Sequence, residues 1–129
     1  MAAVSTLATL GIGGAFRPTG GANATEARAR GVAVEFFRSQ NERRYDDTCR
    51  LLSRGFYRAH RLRDRQTCVA SLRVSFMWSG QIRFRIGKIA HEGGRLVVPA
   101  VADGAPGQIV LVREGSNFRI LAVKGSQGE

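Results

Sequence analysis

The sequence predicts an α+β domain, with helices first and then a meander of about four antiparallel strands. Three observations predict it. Apolar residues recur at three- and four-residue steps as far as about Phe76. From Ile82 onward they alternate at two-residue steps. Short turns rich in Gly, Asp and Asn separate the alternating runs, which is the pattern of successive hairpins. A hairpin sheet has one apolar face to bury, and the preceding helices are the elements available to cover it.

The first helix is expected to start with Thr25 as N-cap and Glu26 in its first turn. Ala29, Ala33, Phe36, Phe37 and Gln40 then share one face, opposite Arg30, Glu35 and Arg38. Asn41 and the charged Glu42-Arg43-Arg44 end it. Asp46-Asp47 opens a short second helix with Tyr45, Cys49 and Leu52 on one side, and Ser53-Arg54-Gly55 is read as its break. A third helix from about Asp64 to Phe76 presents Cys68, Val69 and Leu72, although Val74–Trp78 suits an extended chain equally well.

In the second half, Ile82, Phe84 and Ile86 alternate with Arg83 and Arg85. Gly87 is expected to mark a bulge, because Ile89 and His91 resume the alternation one step out of phase. Glu92-Gly93-Gly94 turns the chain into Arg95–Ala102, apolar on both faces and therefore central. Asp103–Gly107 turns it into Gln108–Arg113, and Glu114–Asn117 into Phe118–Val123. Phe36 and Phe118 are the aromatics expected to join the long helix to the last strand.

Three segments follow: a leader at 1–24, one domain at 25–125 and a tail at 126–129. Met1–Phe16 carries no charge and is mildly apolar, and Ala22-Asn23-Ala24 places small residues where a signal peptidase inspects them. The run is too short to cross a membrane as a helix, and no basic residue precedes it. A cleaved or truncated export signal and a flexible tail are the two readings. The first implies an extracytoplasmic, bacterial location. Cys49 and Cys68 are the only cysteines. An even count behind such a leader reads as one structural disulfide, with free buried thiols as the alternative. The two residues lack the C-x-x-C spacing of a redox or zinc pair.

Two passages resemble a known family. Phe36–Ser53, FFRSQNERRYDDTCRLLS, is similar to the helix–break–Tyr-Asp–Leu-Leu-Ser passage of nuclear-transport-factor-2-like domains. The closing GQIVLVREGSNFRILAV resembles that family's last two strands. The resemblance spans about residues 27–124 and implies a cone in which a curved sheet wraps a long helix. It also implies that Cys49 and Cys68 form the helix-to-helix disulfide of exported bacterial members. The chain departs from the pattern by showing no clear strand between its second and third helices, so the sheet is expected to be trimmed.

Enzymes of that fold set a buried carboxylate and a tyrosine in the cone. Here Asp46, Asp47 and Asp64 belong to helix starts, while Glu92, Asp103 and Glu114 fall in turns. Tyr57, Trp78, His91 and Asp103 are the best pocket constellation the residues offer. His60 and His91 lack the thiolate or carboxylate company a metal requires, so neither metal nor cofactor is expected.

The twenty basic residues face ten acidic ones, a net charge of +10. Arg54, Arg58, Arg61 and Arg65 would share a helical face with Phe56, Tyr57 and His60 between them, the mixture that phosphate contact and base stacking require. A solvated face with inward aromatics is the other reading. Because both halves of the chain carry excess charge, attraction to anionic polymers is expected to be general and salt-sensitive.

The expected function is therefore a non-enzymatic, exported domain that binds a protein partner or small apolar ligand in its cone. An isomerase- or cyclase-like enzyme and a basic surface docking on nucleic acid or an anionic envelope polymer are the alternatives. A homodimer through the sheet is a further expectation. The disulfide is checked by thiol titration of unreduced, denatured protein, which should give no reactive thiol; two equivalents would remove the bridge.

Overall fold

The computed structural model describes residues 21–125, so the leader up to residue 20 and the tail from 126 lie outside the described residues. Four helices come first: α1 (Gly21–Asn41), α2 (Tyr45–Arg50), α3 (Arg54–Ala59) and α4 (Arg65–Phe76). Helix α1 starts earlier than the N-cap at Thr25 expected from sequence. Ala22 and Ala24 are strong helix formers and carry the helix back to Gly21, so Ala22-Asn23-Ala24 falls in its first turn. Ala29, Ala33, Phe37 and Gln40 are its buried face. The expectation for Phe36 needs correction: it is half-buried, and Phe37 is the core aromatic, stacked on Phe84 at 4.8 Å between ring centroids.

Gly55 is not a break but the second residue of α3, which Ser53 caps by accepting the Phe56 N–H at 3.0 Å. A side chain at Gly55 would meet Leu121 Cδ1 at 2.6 Å, so glycine lets α3 lie directly against the last strand. After α3, Arg61 adopts a positive φ of 57° and turns the chain toward α4. Asp64 caps α4, accepting hydrogen bonds from both the backbone N–H and hydroxyl of Thr67 at 2.8 Å. The helical option for Val74–Phe76 prevails.

Five strands complete the domain: β1 (Phe84–Ile86), β2 (Ala90–Glu92), β3 (Arg95–Ala102), β4 (Ala105–Glu114) and β5 (Asn117–Gly125). All pair antiparallel; β1 and β2 both lie against β3, which pairs on its other side with β4, and β4 pairs with β5. Phe84 pairs with Ala102 but Ala90 with Val97, so the register advances by one residue between β1 and β2. That is the bulge expected at Gly87. It turns Ile89 into the core and His91 toward α1, where Nε2 lies 3.4 Å from Glu26 Oε2. A second register shift, opposite Val110 and Leu111, curves β5.

The turn before β4 is shorter than expected. Asp103 and Gly104 alone make it, both at positive φ, and Ala105–Gly107 already belong to the strand. This is the primed two-residue turn that matches strand twist.

The core lies between α1 and the concave face of the sheet, where Leu96, Val98, Ile109, Leu111, Phe118 and Ile120 meet Ala29, Ala33 and Phe37. Val98, Leu111, Ile120, Ala29 and Ala33 are fully inaccessible. The alanines bring the helix axis close, and Arg28 and Arg113 cover Phe118 with their guanidinium groups at 5.2 and 4.7 Å. Between α2 and α3, Leu52 makes a single parallel bridge with Ile120, all that remains of a strand at that position.

Truncating Phe37 or Phe118 to Ala should each cost about 3–5 kcal/mol by denaturant unfolding, and Phe36→Ala clearly less. Equal losses at Phe36 and Phe37 would mean that both rings, rather than Phe37 alone, are seated in the core.

Candidate functional site

Two concavities lie on either side of the short helix α3. Its sequence, RGFYRA, has no fully buried residue, so the six-residue helix stands as a wall with two faces. Phe56 and His60, one turn apart, face one side and stack on each other at 4.1 Å between ring centroids. Arg54, Tyr57 and Arg58 face the other.

On the Phe56 side is a mainly apolar cavity of about 330 Å³. Phe36 of α1, Leu52, Leu62, Leu72 and Phe76 of α4 and Val123 of β5 supply its apolar lining. Two buried polar residues sit in its wall, Gln40 at 7% exposure and the fully buried Thr48, and the exposed His60, Ser71 and Ser75 also line it. Thr48 and Ser39 are joined through their hydroxyls at 2.5 Å, which ties α2 to α1. Gln40 Nε2 donates to Phe36 O at 2.9 Å, and among the described residues its Oε1 has no protein donor. Among the described residues no carboxylate lines this cavity.

On the Tyr57 side is an open cleft of about 760 Å³. Six arginines line it: Arg50, Arg54, Arg58, Arg63, Arg65 and Arg119. Arg50 pairs with Asp46 at 2.9 Å and Arg65 with the same carboxylate at 3.3 Å. Two acids also line the cleft, and each is committed to backbone. Asp64 caps α4, while Glu114 Oε2 accepts the Arg54 N–H at 2.8 Å. Burial pushes the Tyr57 phenol up from its ordinary value, so its hydroxyl stays protonated and donates to Cys49 O at 3.1 Å.

The partition between cavity and cleft is the Cys49–Cys68 disulfide, whose two residues are both 1% exposed, with Leu52 and Leu62 beside it. Cys49 borders the cleft and Cys68 the cavity. The corner that holds α2 in position is Arg44, bound to Glu35, Glu42 and Asp47 at 2.9, 2.7 and 2.6 Å. These three, Glu35 foremost, hold its guanidinium above the ordinary arginine range.

The residues expected to share a ligand pocket are dispersed. Tyr57 lines the arginine cleft. Trp78 follows α4 and is 91% exposed. His91 lies on the short strand β2 against Glu26. Asp103, in the β3–β4 turn, exchanges backbone and side-chain hydrogen bonds with Arg83 and so extends the pairing of β1. Sequence spacing could not place them together, because each is held by its own element.

Of the expected basic face, Arg54, Arg58 and Arg65 reach the cleft, but Arg61 sits in the loop that ends the helix. Arg50, before the break expected at Ser53-Arg54-Gly55, and Arg63 and Arg119, which helical spacing from Arg54 does not pick out, line the cleft as well. Only the fold brings β5 beside α3. Among the described residues no group of three metal-ligating side chains occurs, and no helix is long and apolar enough to cross a membrane.

Neither a protein-family model nor a curated protein sequence matches the chain. Solved structures do resemble it. A protein from Catenulispora acidiphila superposes with a TM-score of 0.55 at 15% identity, covering 81% of this chain and 92% of its own. A designed nuclear-transport-factor-2-like protein superposes with a TM-score of 0.51 at 16% identity, covering 82% of this chain and all of its own. At these identities the likeness is one of fold, an α+β cone of the nuclear-transport-factor-2-like type.

The Asp64 cap gives a pH signature. The Thr67 N–H, and then its hydroxyl, hold the Asp64 carboxyl below the ordinary value of 3.8. A depressed folded pKa contributes stability that is present above that value and is lost as pH falls through the folded one. Asp64→Asn, which caps without titrating, should therefore show a shallower fall in melting temperature below pH 4. Identical acid slopes for the two proteins would show that the cap does not contribute to acid sensitivity.

Proposed function

We propose that the protein is a binding domain that takes a small apolar ligand into the cavity between α1, α4 and the α3 wall. The carrying observation is the cavity itself: about 330 Å³, lined mostly by aromatic and aliphatic side chains, with the Gln40 amide oxygen in its wall free of protein donors among the described residues. Ligand sites of this kind are mostly apolar, with few polar groups that fix orientation. Gln40 Oε1 would serve as that group, accepting a hydroxyl or amine of the ligand. Among the described residues the lining has no carboxylate to move a proton, which supports binding over isomerase- or cyclase-type chemistry. The mildly apolar leader and the buried disulfide support a location outside the reducing cytosol.

The test is titration with the neutral fluorophore N-phenyl-1-naphthylamine. Wild-type protein should enhance its emission saturably. Ser71→Trp, which fills the cavity from α4, should weaken binding about tenfold or more without lowering the melting temperature. Arg58→Gln, on the far side of α3, should leave it unchanged. Absence of saturable binding, or full binding by Ser71→Trp, would overturn the reading.

A further inference from the structure

The arginine cleft does something the apolar cavity does not require. Net charge alone would give a diffuse attraction, but here six arginines from α2, α3, the loop before α4, the start of α4 and β5 line one concavity. Among the described residues, Arg54, Arg58, Arg63 and Arg119 form no ion pair with a carboxylate, while Arg50 and Arg65 share Asp46. The acids that face the cleft keep their charge but are outnumbered, and, beyond the Thr67 hydrogen bonds, Asp64 lies close enough to Arg63 for the guanidinium to lower its pKa. Asp64 is held by Thr67, and Glu114 by the Arg54 N–H. Six guanidinium groups against the carboxylates of Asp46, Asp64 and Glu114 leave the cleft with a net positive potential, which an anion that bridges the arginines offsets.

The shape and the aromatics decide the kind of anion. The arginines come from five separate segments around a cleft of about 760 Å³, so they suit a chain of charges rather than one compact phosphate. Phe56 and His60, the rings that base stacking would use, turn to the opposite side of α3 and stack on each other. Tyr57 is the one aromatic in the lining, and its hydroxyl is tied to Cys49 O. Phosphate contact is thus provided without a stacking platform.

We propose that this cleft is a binding site for a linear phosphate-bearing polyanion, recognised through its backbone charge and not through bases. Guanidinium groups are suited to phosphate because their planar fork donates two parallel hydrogen bonds to its oxygens. The site is independent of the apolar cavity, since α3, Leu52, Leu62 and the disulfide stand between the two.

The experiment compares short-chain inorganic polyphosphate with a single-stranded DNA oligonucleotide of equal charge, by calorimetry over a range of salt. Three proteins are used: wild type, the quadruple Gln variant of Arg54, Arg58, Arg63 and Arg119, and a control quadruple Gln variant of Arg73, Arg83, Arg85 and Arg95. All eight positions carry exposed or half-exposed side chains, so retained circular dichroism and melting temperature qualify each variant.

Polyphosphate should bind wild type at least as tightly as the oligonucleotide. The cleft variant should lose about tenfold or more in affinity. It should also flatten the slope of log K against log salt by roughly 3, at about 0.7 per lost phosphate contact. The control should lose much less. Equal losses in the two variants would reduce the attraction to net charge and overturn the proposal. Much tighter binding of the oligonucleotide would replace it with base recognition. Pyrophosphate competing as well as polyphosphate would replace it with a small-anion site.

Discussion

Two backbone hydrogen bonds at Ile120 join the helical half of this protein to its sheet. Its N–H donates to Leu51 O at 2.7 Å, and its carbonyl accepts the Ser53 N–H at 2.8 Å, while the side chain is fully buried. Helices α2 and α3 have six residues each, too few to be stable alone. The Ile120 clamp fixes the link between them, and the disulfide then carries the constraint from Cys49 in α2 to Cys68 in α4. Cys68 is the only fully buried residue of α4. The position of that helix, and so both concavities, depends on the sequence β5 to α2 to disulfide to α4.

Smaller polar contacts close the remaining joints. Asn41, the last residue of α1, acts as a surrogate strand partner: it donates to Ile82 O at 2.9 Å and accepts the Ile82 N–H at 2.6 Å. That pins the end of the long helix to the start of the sheet. Arg44 gathers Glu35, Glu42 and Asp47 at the α1–α2 corner. Each of these exposed pairs is worth little by itself, but three carboxylates on one guanidinium define an angle between the helices. The buried Ser39–Thr48 pair repeats the constraint inside, where an unmade hydrogen bond would be costly.

Helix α3 makes the functional division. Because Gly55 allows close approach to Leu121, the helix lies on β5 with both flanks accessible. One flank offers rings to an apolar cavity, and the other offers arginines to an open cleft. A residue pattern that mixes Arg with aromatics along the chain is thereby sorted in space into two chemically different surfaces. Neither surface needs the other, which is why an apolar ligand and a polyanion are separable proposals.

Periodicity alone determined the α+β plan of helices before strands, the bulge near Gly87 and the central place of β3, but not α3, which the Ser53-Arg54-Gly55 punctuation hid. Each of those is a local statement: period 3.6 or 2 decides helix or strand, and glycine positions decide turns. The faces of α1 and α2 were legible for the same reason, since Ala29, Ala33, Phe37, Tyr45, Cys49 and Leu52 are all buried. Tertiary structure decided what depends on which elements meet. It made Phe37 rather than Phe36 the core aromatic, because Phe84 stacks on it. It dispersed Tyr57, Trp78, His91 and Asp103, and it brought Arg119 of β5 beside Arg54 and Arg58 of α3, although some sixty residues of chain separate them. Such an encounter leaves no periodic trace, because long-range contacts follow from strand pairing and crosslinking and not from the spacing of neighbours.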